Sequence, residues 1–471
     1  MLCGSSVPIV GQRDRATQVF GDPGLSKRSL LAGKPQLSWS TSRSKPEKEN
    51  SLMKTLKISA LLLFAAALVL PFALTSSVEG QGATEALTTQ MDARLDDSDL
   101  FNGLGTLGAA VNECTNPAVA GRSFRDNKAI FEEVEHVGDG LGPIYNDVAC
   151  SNCHQAPVTG HISQINEFRV ADANGNPPPG TQTLVQDRAI DPDAQEHINT
   201  GFPLHEFRST RTVLGDGFVE AINSNTLVAN VNNEPFAQRG QLRTVAVLEA
   251  PGNNRTGRFG HKSQHASLFS FSADAYLNEM GITSSLLPTE NNIFGASSAA
   301  FDTVADPEDA GNEDVGAFTD FMRSLRAPGR GPITADVTAG SSLFDAVGCA
   351  VCHTRNFTTS ATGTIINGGA FTVPAALGNK IIHPFSDFAL HNIGTSAGIG
   401  GEAGVNDRFA TTTIALWGVR AKVRFMMQGN TMTIFDTIQV HGGQAATARD
   451  NFNLGLNSTQ KNQLIAFVLS L

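Results

Sequence analysis

The sequence predicts a mainly α protein of two tandem units with long loop insertions, and three observations predict it. Two Cys-x-x-Cys-His motifs, Cys150-Ser151-Asn152-Cys153-His154 and Cys349-Ala350-Val351-Cys352-His353, stand 196 residues apart, counted from Cys153 to Cys349. Each unit closes on a helix-like apolar stretch, and the endings Phe321-Met322-Arg323-Ser324-Leu325 and Phe467-Val468-Leu469-Ser470-Leu471 echo one another as a duplicated unit would. Between each motif and its closing helix lie long stretches rich in Gly, Asn and Thr, with Asn176-Pro177-Pro178-Pro179-Gly180 as a clear loop.

Residues 1–52 are rich in Ser, Arg and Gly without apolar periodicity, and read as a leader that takes no part in the fold. Met53-Lys54-Thr55-Leu56-Lys57 then begins a basic start followed by an apolar run over 58–70, the pattern of a secretory signal over 53–83. Pro71 interrupts that run short of the roughly 20 apolar residues that a span needs, so no stable membrane anchor is expected after processing. No Cys lies just after the run to carry a lipid. The expected location is the periplasm or another exported compartment.

In an exported chain, Cys-x-x-Cys-His reads as covalent haem c attachment. The two thiols add to the haem vinyl groups, and the adjacent His offers its imidazole to the iron. Cys150, Cys153 and His154 would hold one haem, and Cys349, Cys352 and His353 a second. A zinc site wants its two Cys pairs about 15–20 residues apart, which this spacing does not give. Cys114 is left unpaired and reads as a buried thiol. The units are therefore cytochrome c-like: an N-terminal haem domain over 84–330 and a C-terminal one over 331–471, with Arg326-Ala327-Pro328-Gly329-Arg330-Gly331-Pro332 as the linker. Ser458 or Thr459 can cap the last helix, whose apolar face is Leu464, Phe467, Val468 and Leu471.

Charge narrows the partners. The chain carries a formal −11, and residues 84–471 hold 24 Lys/Arg against 40 Asp/Glu, which argues against nucleic acid and anionic membrane surfaces. With 41% apolar residues over 471 positions, disorder throughout and a small disulfide scaffold are excluded.

Beyond the haem motifs, the run Asp139-Gly140-Leu141-Gly142-Pro143-Ile144-Tyr145-Asn146 resembles the bacterial di-haem oxidoreductase family, within the superfamily of di-haem cytochrome c peroxidases. Gly257-Arg258-Phe259-Gly260, Glu279-Met280-Gly281-Ile282-Thr283, Pro384-Phe385-Ser386-Asp387-Phe388, Leu390-His391-Asn392-Ile393-Gly394, Leu416-Trp417-Gly418-Val419-Arg420 and Val440-His441-Gly442-Gly443 extend the likeness in order over most of 125–471. The resemblance implies two covalently bound haem c groups, with calcium as a further candidate. A small redox protein, a cytochrome c or a cupredoxin, would donate electrons, and hydrogen peroxide would accept them. It also implies a division of labour, in which the C-terminal haem relays electrons and the N-terminal haem reacts. A relay iron wants two strong axial ligands, whereas a reacting iron needs an open position.

On that resemblance His353 is the proximal ligand of the relay haem, and His441 stands where relatives carry the opposite ligand; a surface His in a Gly-rich turn is the competing reading. His154 is proximal at the first haem. Glu279 falls where relatives place an acid that moves the peroxide proton from the inner to the outer oxygen, a general acid/base role. A helix-surface carboxylate is the alternative. His261 and His265 would share a face if they lay on a helix, and His161 is a further distal candidate. Arg420, Lys422 and Arg424 are candidate propionate partners, against a solvated basic strand or turn.

The chain also departs from the family pattern. His261 stands where an aromatic is usual, Thr411-Thr412-Thr413-Ile414-Ala415-Leu416-Trp417 lacks an Arg and two prolines, and Met426-Met427-Gln428-Gly429 lacks a His and an Asp. These losses favour an electron carrier with both irons six-coordinate as the alternative to a peroxidase. An oxidase or oxygenase of an organic substrate is the third reading, mildly disfavoured because Trp417, Tyr145 and Tyr276 leave few internal sites for an oxidising hole.

Overall fold

Helix α1 (Phe124–Phe131) begins at Ser123, whose hydroxyl accepts the Asp126 N–H while the Asp126 carboxylate accepts the Ser123 N–H, satisfying two otherwise orphaned donors. The structure is a computed structural model and describes residues 82–86, 88–89, 123–294, 296–400 and 408–471. Cys3, Cys114 and the apolar run of the expected signal lie outside the described residues. Among the described residues, no helix is long and apolar enough to cross a membrane.

The first motif occupies the one-turn helix α2 (Cys150–Cys153). Then come α3 (Asp216–Glu220), α4 (Ser224–Asn232) and α5 (Leu268–Ala275), and α5 runs on into a π-helical turn over Tyr276–Met280. Helix α6 (Glu313–Ser324) closes the unit, with Glu313 and Asp314 in its first turn and Arg323 in its last, each complementing the helix dipole. Asp309 accepts the Glu313 and Val315 N–H groups and so caps α6 from outside. Helices α1 and α6 meet through Phe131 and Phe321, whose ring centroids lie 4.6 Å apart. Burying each such ring contributes about 1.5–3 kcal/mol.

Helix α7 (Ala335–Ala346) leads into the second motif, followed by α8 (Ile434–Gln439), α9 (Ala446–Gly455) and α10 (Ser458–Val468). Helices α7 and α10 pack closely because a Cβ on Gly340 would overlap the Gln463 carbonyl oxygen. Phe344, Phe385, Leu464 and Phe467 form the second core. The cap of α10 is Asn457, in a capping box with Gln460, and not Ser458 or Thr459. Asn457 takes the extended backbone of a cap, which places Ser458 and Thr459 already inside the helix.

Helices carry both cores, while the loop insertions fold into small sheets. The largest ladder is antiparallel, in the order β2-β1-β3, with β1 at Asn166–Ala171, β2 at Leu184–Val185 and β3 at Leu204–Ser209. Glu167 faces Arg208 and Arg169 faces Glu206 across it, opposite charges in register. The segment expected as a linker is partly buried, since Ala327–Pro328 pairs with Thr88–Thr89. The first core also draws on Phe357, Phe371, Leu377 and Ile382, beyond the second motif. A buried Glu220–Arg323 pair, 2.7 Å apart, holds that extension in place, because Asn367 donates to Glu220 and Phe371 lies under the guanidinium.

Candidate functional site

Cys150, Cys153 and His154 line a cavity of about 820 Å³. Burial pushes the Cys150 thiol up, and pushes Cys153 up to about 12 with the Glu279 carboxylate adding to the shift. Both therefore stand as neutral thiols, unlike the low-pKa thiolates of redox dithiols. The His154 Nδ1–H donates to the His161 carbonyl at 3.0 Å, which fixes the tautomer and leaves the lone pair on Nε2. Burial holds His154 below its ordinary pKa, so the ring is neutral, as a metal ligand must be. Phe131 packs against it at 6.2 Å.

The second motif repeats this arrangement. His353 Nδ1 donates to the Phe385 carbonyl at 2.9 Å, and Phe344 packs on its ring at 6.3 Å. Burial pushes His353 down to about 4, with a smaller contribution from His441 close by. His441, just beyond the C-terminal end of α8, donates from Nδ1 to the Thr437 carbonyl at 2.6 Å, and burial lowers its pKa too. His154, His353 and His441 thus share one pattern: neutral rings, Nδ1 tied to a backbone carbonyl, and Nε2 left as the ligand atom.

A buried pair, Asp387 and His391, lies beside the second motif. His391 Nε2 bonds the Asp387 carboxylate at 2.8 Å, and its Nδ1 lies 3.6 Å from Cys352 Sγ. Burial opposes charge on His391, yet Asp387 and Cys352 raise it to about 10. The Asp-x-x-x-His spacing was the available signal. As for calcium, Glu290, Asp306 and Glu308 bring carboxylate oxygens within 4.8 Å of one another, and exposed acidic groups do so commonly without an ion.

Glu279 lies on the π-helical turn and lines the same cavity as the first motif. Gly281, in the left-handed region at φ +70°, lets the 142–144 loop lie against the end of this turn, where a Cβ would come within 2.6 Å of the Ile144 carbonyl oxygen. Asn146, at the end of that loop, donates from Nδ2 to Glu279 Oε2 at 2.9 Å and from its backbone N–H to the Glu279 carbonyl at 2.8 Å. Burial first and the Glu167 carboxylate second raise Glu279 to about 8, while Arg169 and Asn146 pull it back.

The other histidines separate. Residues 260–263 form a tight turn bracketed by a Phe259–His265 bridge, so His261 and His265 do not share a helix face. His265 instead pairs with Asp274 at 3.2 Å. His261 lines the cavity as a neutral ring, its pKa held well below ordinary by burial and then by Arg211. His161 supplies the carbonyl that orients His154 and bonds Thr212 through Nδ1, which puts it behind the proximal ring and not in a distal position.

Of the three basic candidates, Lys422 lines the cavity, its pKa lowered to about 8 by burial and then by Arg211. Arg420 and Arg424 do not line it, and Arg424 bonds Gly429. Arg211, which the sequence reading missed, takes their place. Its Nη1 donates to the Gly260 carbonyl, while Nε and Nη2 are buried with no partner among the described residues. Two neutral thiols, an oriented imidazole and a cationic wall with unpaired donors fit a haem c: thioether attachment, an axial ligand and counter-charges for the propionates.

Residues 201–471 match the family described as "Di-haem oxidoreductase, putative peroxidase", a match that includes the second motif and leaves the first outside. No curated relative matches the chain. Similar solved structures include a hydrazine synthase from Kuenenia stuttgartiensis, 14% identical over 87% of this chain and 100% of that one, TM-score 0.35. A MauG-like protein associated with microbial copper homeostasis is 13% identical over 77% and 95%, TM-score 0.33. A variant of the diheme peroxidase BthA from Burkholderia thailandensis is 13% identical over 83% and 90%, TM-score 0.34.

Proposed function

Because this chain belongs to the di-haem oxidoreductase family, we propose that it is an exported peroxidase that reduces hydrogen peroxide at the first motif, with electrons relayed from the second. The observation that carries this reading is the placement of Glu279, a half-buried carboxyl near pKa 8, on the wall of the cavity that His154 also lines. A general acid works best with its pKa near the operating pH.

Bound haem c supplies the redox-active iron. The chain does the rest. His154 offers Nε2 to the first iron, held in register by the His161 carbonyl. His353 and His441 offer two neutral imidazoles to the second, which suits a relay. Asn146 keeps Glu279 Oε2 as an acceptor, so the exchangeable proton sits on Oε1. Reducing one peroxide to two waters takes two electrons and two protons, and Glu279, protonated at Oε1, donates one of those protons to the departing oxygen. Arg211 and Lys422 would hold the propionates. A small cytochrome c or cupredoxin donates the electrons.

A second reading, an electron carrier, draws on His261, a neutral ring on the same cavity wall that could serve as a second ligand to the first iron. Visible spectra in the oxidised, half-reduced and fully reduced states, with cyanide added to each, separate the two. A cyanide shift confined to one haem supports the peroxidase. Two low-spin, cyanide-inert haems in every state leave the electron carrier.

A further inference from the structure

We infer that residues 385–388 form the bridge along which electrons pass from the second haem site to the first, with the Phe388 ring as its last element; this rests on the two-site function proposed above. The segment is tied to the second motif at three consecutive residues. Phe385 accepts the His353 Nδ1–H at 2.9 Å, the Ser386 N–H donates to the Thr354 carbonyl at 3.0 Å, and the Asp387 N–H donates to the Cys352 carbonyl at 2.9 Å. Its other end belongs to the first site. Phe388 lines the 820 Å³ cavity beside Thr413, and Ser386 Oγ, which accepts the Phe388 N–H, donates to the Thr413 carbonyl at 2.7 Å. One hydrogen bond and three residues therefore lead from the imidazole of His353 to a ring on the wall of the first cavity.

The backbone shows that both rings are held where they are by their surroundings. Phe385 and Phe388 take φ of +52° and +58°, a region that bulky residues avoid unless the rest of the structure imposes it. Both rings are buried, Phe385 in the second core and Phe388 in the first. The segment thus crosses from one core to the other within four residues. In the step itself the group that His353 would hold would lose one electron and be oxidised, and the group that His154 would hold would gain it and be reduced. No bond forms or breaks and no proton accompanies it, and a small one-electron redox protein replaces the electron.

The test uses the haem-loaded protein and the rate of electron passage between its two haems after rapid photoreduction, with both midpoint potentials titrated alongside so that a change in driving force is not read as a change in path. Phe388→Leu should slow passage about tenfold, equivalent to about 1.4 kcal/mol of barrier. Phe357→Leu, whose ring lies 6.2 Å from Phe388 but does not line the cavity, should stay within about twofold of wild type. A wild-type rate in Phe388→Leu, or equal slowing in both variants, overturns the bridge while leaving the proposed function standing. Absence of passage in the wild-type protein overturns both. Should Phe388→Leu fail to retain its haems, Ser386→Ala keeps the ring and removes the clamp to Thr413: slowing supports the bridge, and a wild-type rate overturns it.

Discussion

Asn146 grips Glu279 twice, its side-chain amide donating to the carboxylate at 2.9 Å and its backbone N–H to the carbonyl of the same residue at 2.8 Å. This double contact joins the Gly-rich loop before the first motif to the π-helical turn more than a hundred residues later. It fixes both the position of the proposed acid and which of its oxygens carries the proton.

Glu279→Gln is expected to lower peroxide turnover by about a hundredfold or more while cyanide still binds the first haem. In the wild type the acid must be protonated, so activity should hold below about pH 8 and fall above it. A pH–rate profile of both proteins checks this, and wild-type turnover in Glu279→Gln removes Glu279 from the mechanism.

The same group predicts a pH-dependent stability. A carboxyl raised from 4.5 to about 8 binds its proton more tightly when folded, so stability falls as pH rises between those values and levels off above the folded pKa. Glu279→Gln should therefore gain melting temperature over wild type at pH 9 and much less at pH 5, measured by thermal scans.

Asn146→Ala removes a bond to the ionised carboxylate, which had held the pKa down. The alkaline limb of the pH–rate profile should move to higher pH, with the proximal haem spectrum unchanged. A limb that stays in place means that Asn146 does not tune the acid.

His441→Ala should convert the second haem to a species that binds cyanide, leaving the first unaffected. Spectra of the half-reduced variant test it. A second haem that remains low-spin and inert assigns the opposite ligand to another residue.

Phe131→Ala and Phe344→Ala each remove a buried ring from between a proximal histidine and a closing helix, at about 3–5 kcal/mol apiece. Denaturant midpoints should drop by similar amounts in the two variants, because the two packing motifs are equivalent.

That equivalence was half legible in the sequence. The echo between Phe321-Met322-Arg323-Ser324-Leu325 and Phe467-Val468-Leu469-Ser470-Leu471 announced a duplicated closing helix, and both phenylalanines are fully buried. Their partners could not be read, since Phe131 precedes its motif by 19 residues and Phe344 by only 5. His261 and His265 misled for a related reason. Their i, i+4 spacing suits a helix, but the backbone turns tightly at 260–263, and spacing alone carries no information on that turn.

The sequence by itself determined the two Cys-x-x-Cys-His motifs on which the proposed haem attachment rests and which imidazole follows each pair of thiols, because five contiguous residues encode that pattern with no help from the rest of the chain. Only the tertiary structure decided what surrounds them. The carbonyls of His161 and Phe385 orient the rings of His154 and His353, Asn146 holds Glu279, and Arg211 lines the cavity where Arg420 and Arg424 do not. Tautomer, pKa and counter-charge depend on nearby groups, and folding gathers those groups from distant positions, 133 residues apart for Asn146 and Glu279.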